Sequence, residues 1–481
     1  MSFYDDASLV FLPSGGAGKD TKAYSIKPTN GDGDFTFSRG SNLTATRIDS
    51  NGLIEKGREN LFLNSDTPAT QSITITNGGV YVLSFLGTGS IVASGGGSFT
   101  LNGTGEFDRV ENYFVSSSTS VTLTISGTIT EPQLEIGTIS TEYIESGATT
   151  GLAGILEDSP RFDYSGGASC PSLLLEPSRT QLIGESEYYE NWDKNSGTTL
   201  TTNKLISPDG SKNATLVSCP ESGGRVGYNV ALTSGTTYTF SVYLKNNGGN
   251  TSIDIGSHTT AQLETITIDN DWNRYSTTFT ATSTTTSNIR FVSGGSNINM
   301  YAFGAQLEQG SYPTSYIPNH SGGSVTREAD SCSDAGTSST FNDSEGVLYA
   351  EIAALADDLT FRSISLSDGT NNNRVIIRYR TTSNIINFLL AAGGSVIRNV
   401  QHSVTDITDY HKVAIKYKDT DIGFFVDGVK IATHTDTFTL SSLSEVSFTD
   451  GSGSDVFYGN AKQVLVFNTA LSDSECITLT S

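Results

Sequence analysis

Hydrophobic and polar side chains alternate along many short stretches of the chain. Residues 237–244 read TYTFSVYL and residues 80–85 read VYVLSF, with β-branched and aromatic side chains in both. An alternation with a period of two residues is typical of a β-strand with one buried face. Further stretches of this kind are 72–76, 121–125, 252–255 and 289–292. Gly, Ser or Asn turns bound them without intervening helices, so the pattern predicts antiparallel sandwiches or jelly rolls.

Two copies of one pattern follow each other along the chain. QLEIG at 133–137 and TEYI at 141–144 match QLEQG at 306–310 and TSYI at 314–317, all at an offset of 173 residues. Three earlier blocks match at offsets of 121, 157 and 165 residues. Because the offsets rise steadily, the sequence predicts two copies of one sandwich, of which the second has longer loops.

A third block of strand-like segments begins near Gly346. Within 424–432, the pair Asp427-Gly428 has the residue types that supply the positive φ of a tight hairpin turn. Near the end, SDSE at 472–475 is a capping box that predicts one short helical turn. We therefore expect another two-sheet sandwich after the two repeats.

Several segments resemble known families. YTFSVYLK within 237–245, WNRYS at 272–276 and GAQLE at 304–308, closed by TSYIP, resemble carbohydrate-binding jelly rolls of bacterial glycanases and phage virion proteins. Residues 346–478 resemble laminin-G-like or concanavalin-like lectin sandwiches through HKVA at 411–414, FVDG and VFNTALS. The resemblance implies an all-β chain with two jelly-roll/β-sandwich repeats followed by a laminin-G/concanavalin-like sandwich.

Two other segments are similar to linkers of bacteriophage structural proteins. They are PSLLLEPSRT at 171–180, preceded by PRFDY, and NGDGDFTFSR at 30–39, followed by TATR and NGLIE. This implies a virion structural protein, either a tail fibre or adhesin or a capsid decoration or head fibre, with glycan or host-surface binding. It also implies other virion proteins as partners, assembly in the host cytoplasm, display on the particle surface, and a homo-oligomer. Phage fibres suggest a trimer by analogy, but the sequence has no coiled-coil heptads or β-helical repeats, so the stoichiometry stays open.

Together these segments predict six stretches of chain. They are an N-terminal docking segment (1–58), jelly-roll repeat 1 (59–147), a linker (148–178), the carbohydrate-binding-module-like jelly-roll repeat 2 (179–322), a second linker (323–344) and the lectin-like sandwich (345–481).

Composition narrows the classes of function. The 481 residues carry 28 Lys+Arg against 51 Asp+Glu, a formal net charge of −23. This charge repels phosphate backbones and anionic membranes, so we expect no nucleic-acid and no membrane partner. The opening MSFYDDASLV lacks the basic stretch of an export signal. The single cysteines, which lack a CxxC pair, are expected to be free thiols made in a reducing cytoplasm; they are Cys170, Cys219, Cys332 and Cys476.

We assign no catalytic residues. Glu135 and Glu308 recur in both repeats, but their position in a strand-like motif favours structural hydrogen bonds over the paired carboxylates of a glycosidase. The chain shows no nucleophile elbow, no histidines at zinc spacing and no phosphate loop. A non-enzymatic protein is therefore expected, while a glycan-degrading depolymerase and a purely architectural capsid cement stay open as alternatives.

Three aromatic residues are the candidate carbohydrate-binding residues. Trp192, Tyr188 and Tyr189 lie in the loop-like start of the second repeat, and aromatic faces stack on pyranose rings. The alternative is that Trp192 plugs one end of the sandwich. Trp272, which is matched by Phe107 in the first repeat, is expected in the core.

No cofactor is expected, although a structural calcium ion stays possible. Residues 30–34 alternate oxygen donors as calcium loops do. The twelfth position of such a loop would be Ser41 instead of Glu, so a plain turn is favoured. Laminin-G-like and jelly-roll domains often hold calcium at a sandwich edge, and which oxygens would bind it here is unknown from the sequence.

Overall fold

The computed structural model describes residues 2–13, the backbone of 18–19, and residues 21–41, 43–295 and 297–481. Nearly all regular secondary structure of the described chain is β-strand, and the strands form three two-sheet sandwiches. This confirms the prediction of an all-β protein with two repeated sandwiches and a third one after them.

The first sandwich follows a short helix, α1 (Phe3–Asp6), and several short strands. The strands up to residue 153 are β1 (Leu9–Phe11), β2 (Gly18–Lys19), β3 (Lys22–Ala23), β4 (Phe35–Ser38), β5 (Thr46–Ile48), β6 (Ile54–Lys56), β7 (Arg58–Asn60), β8 (Gln71–Thr74), β9 (Val80–Gly87), β10 (Ser90–Gly95), β11 (Phe99–Asn102), β12 (Gly105–Val115), β13 (Ser120–Ser126), β14 (Ile129–Ile136) and β15 (Gly151–Ala153). One sheet has the order β11-β10-β13-β8 and the other β12-β9-β14. Apolar side chains of both sheets, such as Phe85 and Leu123, form its core.

The second sandwich has two five-stranded sheets. The strands up to residue 327 are β16 (Arg161–Asp163), β17 (Ser172–Leu175), β18 (Arg179–Gln181), β19 (Asp193–Lys194), β20 (Thr199–Leu205), β21 (Ala214–Cys219), β22 (Arg225–Leu232), β23 (Thr237–Asn246), β24 (Ser252–Ser257), β25 (Gln262–Thr267), β26 (Asn273–Thr280), β27 (Thr285–Ser293), β28 (Ile298–Gln309) and β29 (Val325–Arg327), with a 3-10 turn at Ser165–Gly167. The sheet orders are β19-β22-β27-β24-β25 and β20-β21-β28-β23-β26.

The third sandwich closes the chain. Its remaining elements are β30 (Ser331–Ser333), β31 (Glu345–Ala354), β32 (Arg362–Ser367), β33 (Arg374–Tyr379), β34 (Ile385–Ala392), β35 (Ser395–Ser403), β36 (His411–Lys418), β37 (Ile422–Val426), β38 (Val429–His434), β39 (Glu445–Ser447), β40 (Gly459–Phe467) and α2 (Asp473–Thr480). One sheet runs β16-β17-β40-β31-β36-β37-β38, with β1 also paired to β40, and the other β35-β34-β33-β32-β39.

The repeated sequence motif builds the same hydrogen bonds in both repeats. In the first, Nε2 of Gln133 donates to Glu135 (2.6 Å), which also accepts from the backbone N–H of Thr141 (2.9 Å). In the second, Gln306 donates to Glu308 (2.5 Å), which accepts from the backbone N–H of Thr314 (2.9 Å). All four side chains are buried. Glu135 and Glu308 therefore hold the loops that follow β14 and β28 against these strands, which is the structural role expected for them.

The predicted docking segment and the two predicted linkers contribute strands and core residues to the third sandwich. As far as residues 1–58 are described, β1 pairs with β40, and β4 pairs with β30 of the second predicted linker. From the first predicted linker, β17 also pairs with β40. Phe11, Phe37 and Leu173 of these stretches are buried in the core of the third sandwich. The predicted boundaries are corrected accordingly: a Gly- and Ser-rich composition resembles a linker, but the alternating apolar residues within it supply strands.

The charged residues of the linker-like motifs meet in one buried cluster, which we call the charged clasp and define as Arg39, Arg161, Glu176, Arg327 and Asp330. Side chains of the clasp are at most 3% exposed. Arg161 bridges Glu176 (2.6 Å) and Asp330, Arg39 lies 3.2 Å from Asp330, and Arg327 lies 2.9 Å from Glu176. The clasp ties the N-terminal segment, both predicted linkers and the end of the second repeat into one body.

Two local predictions for the third sandwich are confirmed. Asp427 and Gly428 have φ of 47° and 75° in the turn between β37 and β38. The capping box at Ser472 and Glu475 begins α2, which runs further than the single turn predicted. All four cysteines are free thiols, of which Cys170 alone is exposed.

Candidate functional site

The predicted aromatic platform is buried. Trp192 is 3% exposed, and its ring packs 4.8 Å from Tyr189 and 5.4 Å from Tyr228, measured between centroids. Its indole N–H donates to the backbone oxygen of Glu185 (3.1 Å). Trp192 thus plugs one end of the sandwich, as the alternative interpretation held, and Tyr189 lies fully inside the same core. Neither ring offers an open face to a sugar.

Tyr188 lies where the two repeats meet. Its ring centroid is 6.0 Å from that of Tyr113 on β12, and its hydroxyl donates to Glu190 (3.3 Å). Burial, followed by the nearby charge of Glu190, raises the pKa of Tyr188. The residue therefore joins the two repeats and is 7% exposed.

The expectation that Trp272, which Phe107 matches in the first repeat, lies in the core is wrong. Trp272 precedes β26 and is half-buried, with its indole N–H on the backbone oxygen of Ile206 (3.0 Å). Phe107 is 92% exposed. The pairing of β12 with β9 is irregular between Gly105 and Val110, so the period-two pattern does not hold there.

One outer face of the second sandwich is covered by the rest of the chain. On the sheet that contains β23 and β28, Tyr243 and Phe303 pack against Ile54 and Tyr316. Arg274 of the neighbouring strand β26 donates to the backbone oxygen of Thr314 (2.6 Å). This sheet therefore has an inner core face and a second face buried against other segments.

The other sheet of the second sandwich presents polar side chains on its outer surface. Val226, Phe291 and Ile255 lie side by side on the core face of β22, β27 and β24. Because side chains alternate, their neighbours Gly227, Arg290 and Gly256 form an outward row. Arg290 thus stands between two residues that have no side chain. We call this surface the open face.

The open face holds an arginine that has no hydrogen-bond or ion-pair partner among the described residues. Arg225 pairs with Asp193 (3.3 Å), and Asp254 accepts from Thr265 (2.6 Å). Among the residues that the structure describes, the guanidinium of Arg290 makes no hydrogen bond or ion pair. Burial, and then the neighbouring Arg225, lower the pKa of Arg290. An arginine nevertheless stays protonated in proteins, so its donors face solvent as a charged group.

An amide oxygen next to Arg290 also lacks a partner. Asn288, two residues earlier on the same face, donates to Asn229 (3.1 Å) through Nδ2. Its Oδ1 has no partner within the described ranges, although the side chain is only 9% exposed. A β-carbon on Gly227 would lie 2.2 Å from this oxygen. The glycine therefore leaves the space in which the amide sits.

Sequence reasoning missed the open face for a definite reason. Arg290 and Asn288 alternate with buried residues, which is the pattern of any solvent-facing strand side. Only the register shows that Gly227 and Gly256 flank Arg290. A glycine inside a strand is the one available sequence signal, since it often marks close approach by a ligand or backbone.

Comparison with a protein family supports a binding module in this region. Residues 185–297 match the family described as a carbohydrate binding domain, which is less than a quarter of the chain. The matched residues contain the whole open face and the buried Trp192. The match indicates a binding rather than a catalytic module over this region. No curated protein sequence matches the chain.

Several solved structures are remotely similar. The CBM40 domain of the Ruminococcus gnavus IT-sialidase, solved with α2,3-sialyllactose, is 17% identical, with 29% of this chain and 84% of that chain covered and a TM-score of 0.26. The tandem CBM22 domains of Paenibacillus barcinonensis Xyn10C are 14% identical (63% and 98% covered, TM-score 0.20). The LG1–3 region of the laminin α2 chain is 7% identical (84% and 96% covered, TM-score 0.16).

The candidate calcium loop forms a turn. Asn30 donates to Asp32 through Nδ2 (2.7 Å), and Asp34 accepts from the backbone N–H of Ser25 (2.9 Å). In the part of the chain that the structure describes, no group of three or more His, Cys, Asp or Glu residues is arranged to hold a metal ion. No described helix is long and apolar enough to cross a membrane.

Proposed function

We propose that the chain is a glycan-binding structural protein on the surface of a bacteriophage particle, and that its second sandwich binds the glycan on the open face around Arg290. The observation that carries the binding proposal is the coincidence of the carbohydrate-binding family match with a sheet face that holds polar groups without partners.

The chemistry of the open face suits sugar hydroxyls. The guanidinium of Arg290 offers several N–H donors in one plane, and Oδ1 of Asn288 accepts. Adjacent hydroxyls of a pyranose both donate and accept, so one sugar can satisfy both groups. The open face thus recognises sugar chiefly by hydrogen bonds, in contrast to the aromatic stacking expected from the sequence.

Arginine 290 should dominate the affinity. A hydrogen bond to a charged group contributes about 1.5–3 kcal/mol, which corresponds to roughly a 10- to 100-fold change in Kd. Arg290→Ala is therefore expected to weaken glycan binding by about that factor.

A glycan array with the full chain tests this proposal, followed by titration calorimetry on the glycans that bind. Arg290→Ala should lose binding, and Arg398→Ala on the third sandwich is the matched control, since Arg398 is a partly exposed arginine paired with Asp436. Binding that is equal in Arg290→Ala and the control, or absent from the wild type, contradicts the proposal. A reducing-end assay on the same glycans should detect no product, because release of product would mean an enzyme.

The particle location is supported by the resemblance of residues 30–55 and 160–180 to segments of phage structural proteins. In the fold these segments are built into the third sandwich and the charged clasp, so the binding sandwich would be held rigidly on its particle. Tail fibre or adhesin and head fibre or capsid decoration are both compatible with this role. A homo-oligomer is part of the proposal, and a trimer is the first state to test. Cryo-electron microscopy of particles should show the three sandwiches at the surface; particles that lack the chain contradict this part.

A further inference from the structure

A cavity lies where the two repeats meet the N-terminal segment. It has a volume of about 240 Å³, and its walls include Thr44, Arg58, Ile139, Asn213 and His320. A more open cavity of about 500 Å³ shares Arg58 and Ile139 with it. Since one water occupies about 30 Å³ in the liquid, the inner cavity has room for more than a single water. It lies on the covered side of the second sandwich, away from the open face.

Three buried polar atoms that line this cavity have no partner among the described residues. They are Oγ1 of Thr44, Oδ1 of Asn213 and Nδ1 of His320. The three residues are 7%, 2% and 5% exposed, respectively. An unsatisfied buried polar atom is unfavourable by about 1–3 kcal/mol. Three such atoms around one cavity indicate that a molecule bound in the cavity forms hydrogen bonds with them.

The unpartnered atoms are held in place by the opposite ends of their side chains. Nδ2 of Asn213 donates to Glu187 (3.0 Å) and Asp209 (3.0 Å). Nε2 of His320 lies 3.4 Å from Glu187. Lys56 forms an ion pair with each of these two acids, at 3.1 Å from Glu187 and 2.7 Å from Asp209. Neither Asn213 nor His320 can turn its free atom away without breaking this network.

The rest of the wall is amphipathic. Leu43, Ile139 and Val325 contribute apolar surface. Arg58 is half-buried, and its guanidinium makes no hydrogen bond or ion pair within the described part of the chain. A pyranose has the complementary character, with C–H groups on its faces and hydroxyls around its rim.

We infer that this inter-repeat cavity is a second saccharide site, which takes one terminal sugar ring with its hydroxyls on Thr44, Asn213 and His320 and with Arg58 at the entrance. The choice of a sugar rests on the proposed function, whereas the unpartnered atoms do not. The site is separate from the open face, so the chain would hold a glycan at two places.

Two variants of the full chain test the second site. Ser211→Phe adds a ring to the wall that both cavities share, and Thr44→Val removes only a hydroxyl. Ser126→Phe, on an exposed strand end of the first repeat, is the matched control. The probes are the glycans bound on the array together with glucose, galactose, N-acetylglucosamine and glucuronate, measured by calorimetry and by soaking crystals.

A sugar ring in the cavity of soaked crystals is expected, with binding at this site weakened at least about tenfold in Ser211→Phe and unchanged in Ser126→Phe. Thr44→Val should weaken it less, and it guards against misfolding of the larger variant. Ordered water alone in the cavity after every soak overturns the inference. If Arg290→Ala abolishes all glycan binding while Ser211→Phe leaves it unchanged, the proposal of a second site is wrong and the proposed function is supported. If the wild-type chain binds no glycan, both proposals are wrong.

Discussion

The two repeats share an internal scaffold but differ on their outer faces. In the first repeat, Gln133 and Glu135 hold the loop that follows β14. In the second repeat, Gln306 and Glu308 hold the loop that follows β28. The outer face of β10 and β13 carries Val92 and small hydroxyl residues, and no described outward position on these two strands is charged. The corresponding face of the second repeat carries Arg225, Arg290, Asp193, Asp254 and two asparagines. The buried hydrogen bonds therefore preserve the sandwich in both repeats, while the outward positions are free to acquire a binding function.

The repeats also differ in how they are anchored. Ser315 and Arg327 connect the end of the second repeat to the charged clasp, since Glu176 accepts from the backbone N–H of Ser315 (2.6 Å) and pairs with Arg327. Within the described chain, residues 59–147 of the first repeat make no hydrogen bond or ion pair with a clasp residue. The repeat with the polar open face is therefore the one that is joined by buried ion pairs to the third sandwich.

Removing Asp330 should have the largest effect. Asp330→Ala leaves Arg39 and Arg161 without their shared carboxylate, and breaking a buried ion pair is unfavourable by about 3–5 kcal/mol. Hydrogen exchange should show faster opening around residues 315–327 and little change around 133–144. Asp436→Ala, which breaks the partly exposed pair with Arg398, is the control and should change stability by about 1 kcal/mol or less. Equal loss of protection in both repeats contradicts the difference in anchoring.

Acid should loosen the second repeat before the first. Burial alone would raise the pKa of Glu176, but ion pairs with Arg327 and Arg161 and hydrogen bonds from Ser315 lower it to about 2, from an ordinary 4.5. The stabilisation is therefore complete above pH 4.5 and is lost as the pH falls towards 2, with a magnitude on the order of 3 kcal/mol. Exchange measured at pH 3 and pH 6 checks this, and Glu176→Gln should lack this part of the pH dependence. Identical acid sensitivity of the two repeats would count against it.

The shared scaffold predicts equal responses at matched positions. Gln133→Leu and Gln306→Leu each remove one donor from a buried glutamate and leave a backbone N–H without its acceptor, since Ile144 and Ile317 donate to these glutamines (2.6 and 2.7 Å). Each should lower the free energy of unfolding of its own repeat by about 1–3 kcal/mol. Denaturant unfolding followed by exchange measures both. A large effect in one repeat and none in the other would show that the scaffolds are not equivalent.

The smallest effect is expected on the outer face of the first repeat. Val92 is 42% exposed there, and Val92→Ala should leave the Kd for glycan within about twofold, as surface substitutions usually do. Calorimetry beside Arg290→Ala provides the comparison. A loss with Val92→Ala as large as with Arg290→Ala would place the glycan on both faces.

Much of the fold could be predicted from local patterns. The strand predictions at 80–85 and 237–244 lie within β9 and β23, and the repeated QLE motif lies on their neighbouring strands β14 and β28. Predictions failed where a residue's environment depends on distant chain. Trp192 lies with other aromatic residues in a loop-like segment, as an exposed sugar-binding platform would, but Tyr189 and Tyr228 enclose it. Phe107 faces solvent because the pairing of β12 with β9 is irregular at this point.

The β-strands, the two repeats and the third sandwich could be predicted from the sequence alone. The reason is that side-chain alternation and turn residues depend only on neighbouring positions along the chain. Which outward faces stay open depends on the tertiary structure: Phe303 and Arg290 each follow a core residue, yet other segments bury the first and leave the second half-exposed. It also decided that Arg39 and Asp330, 291 residues apart, share one buried ion pair. Both outcomes depend on contacts between distant segments, which no local pattern records.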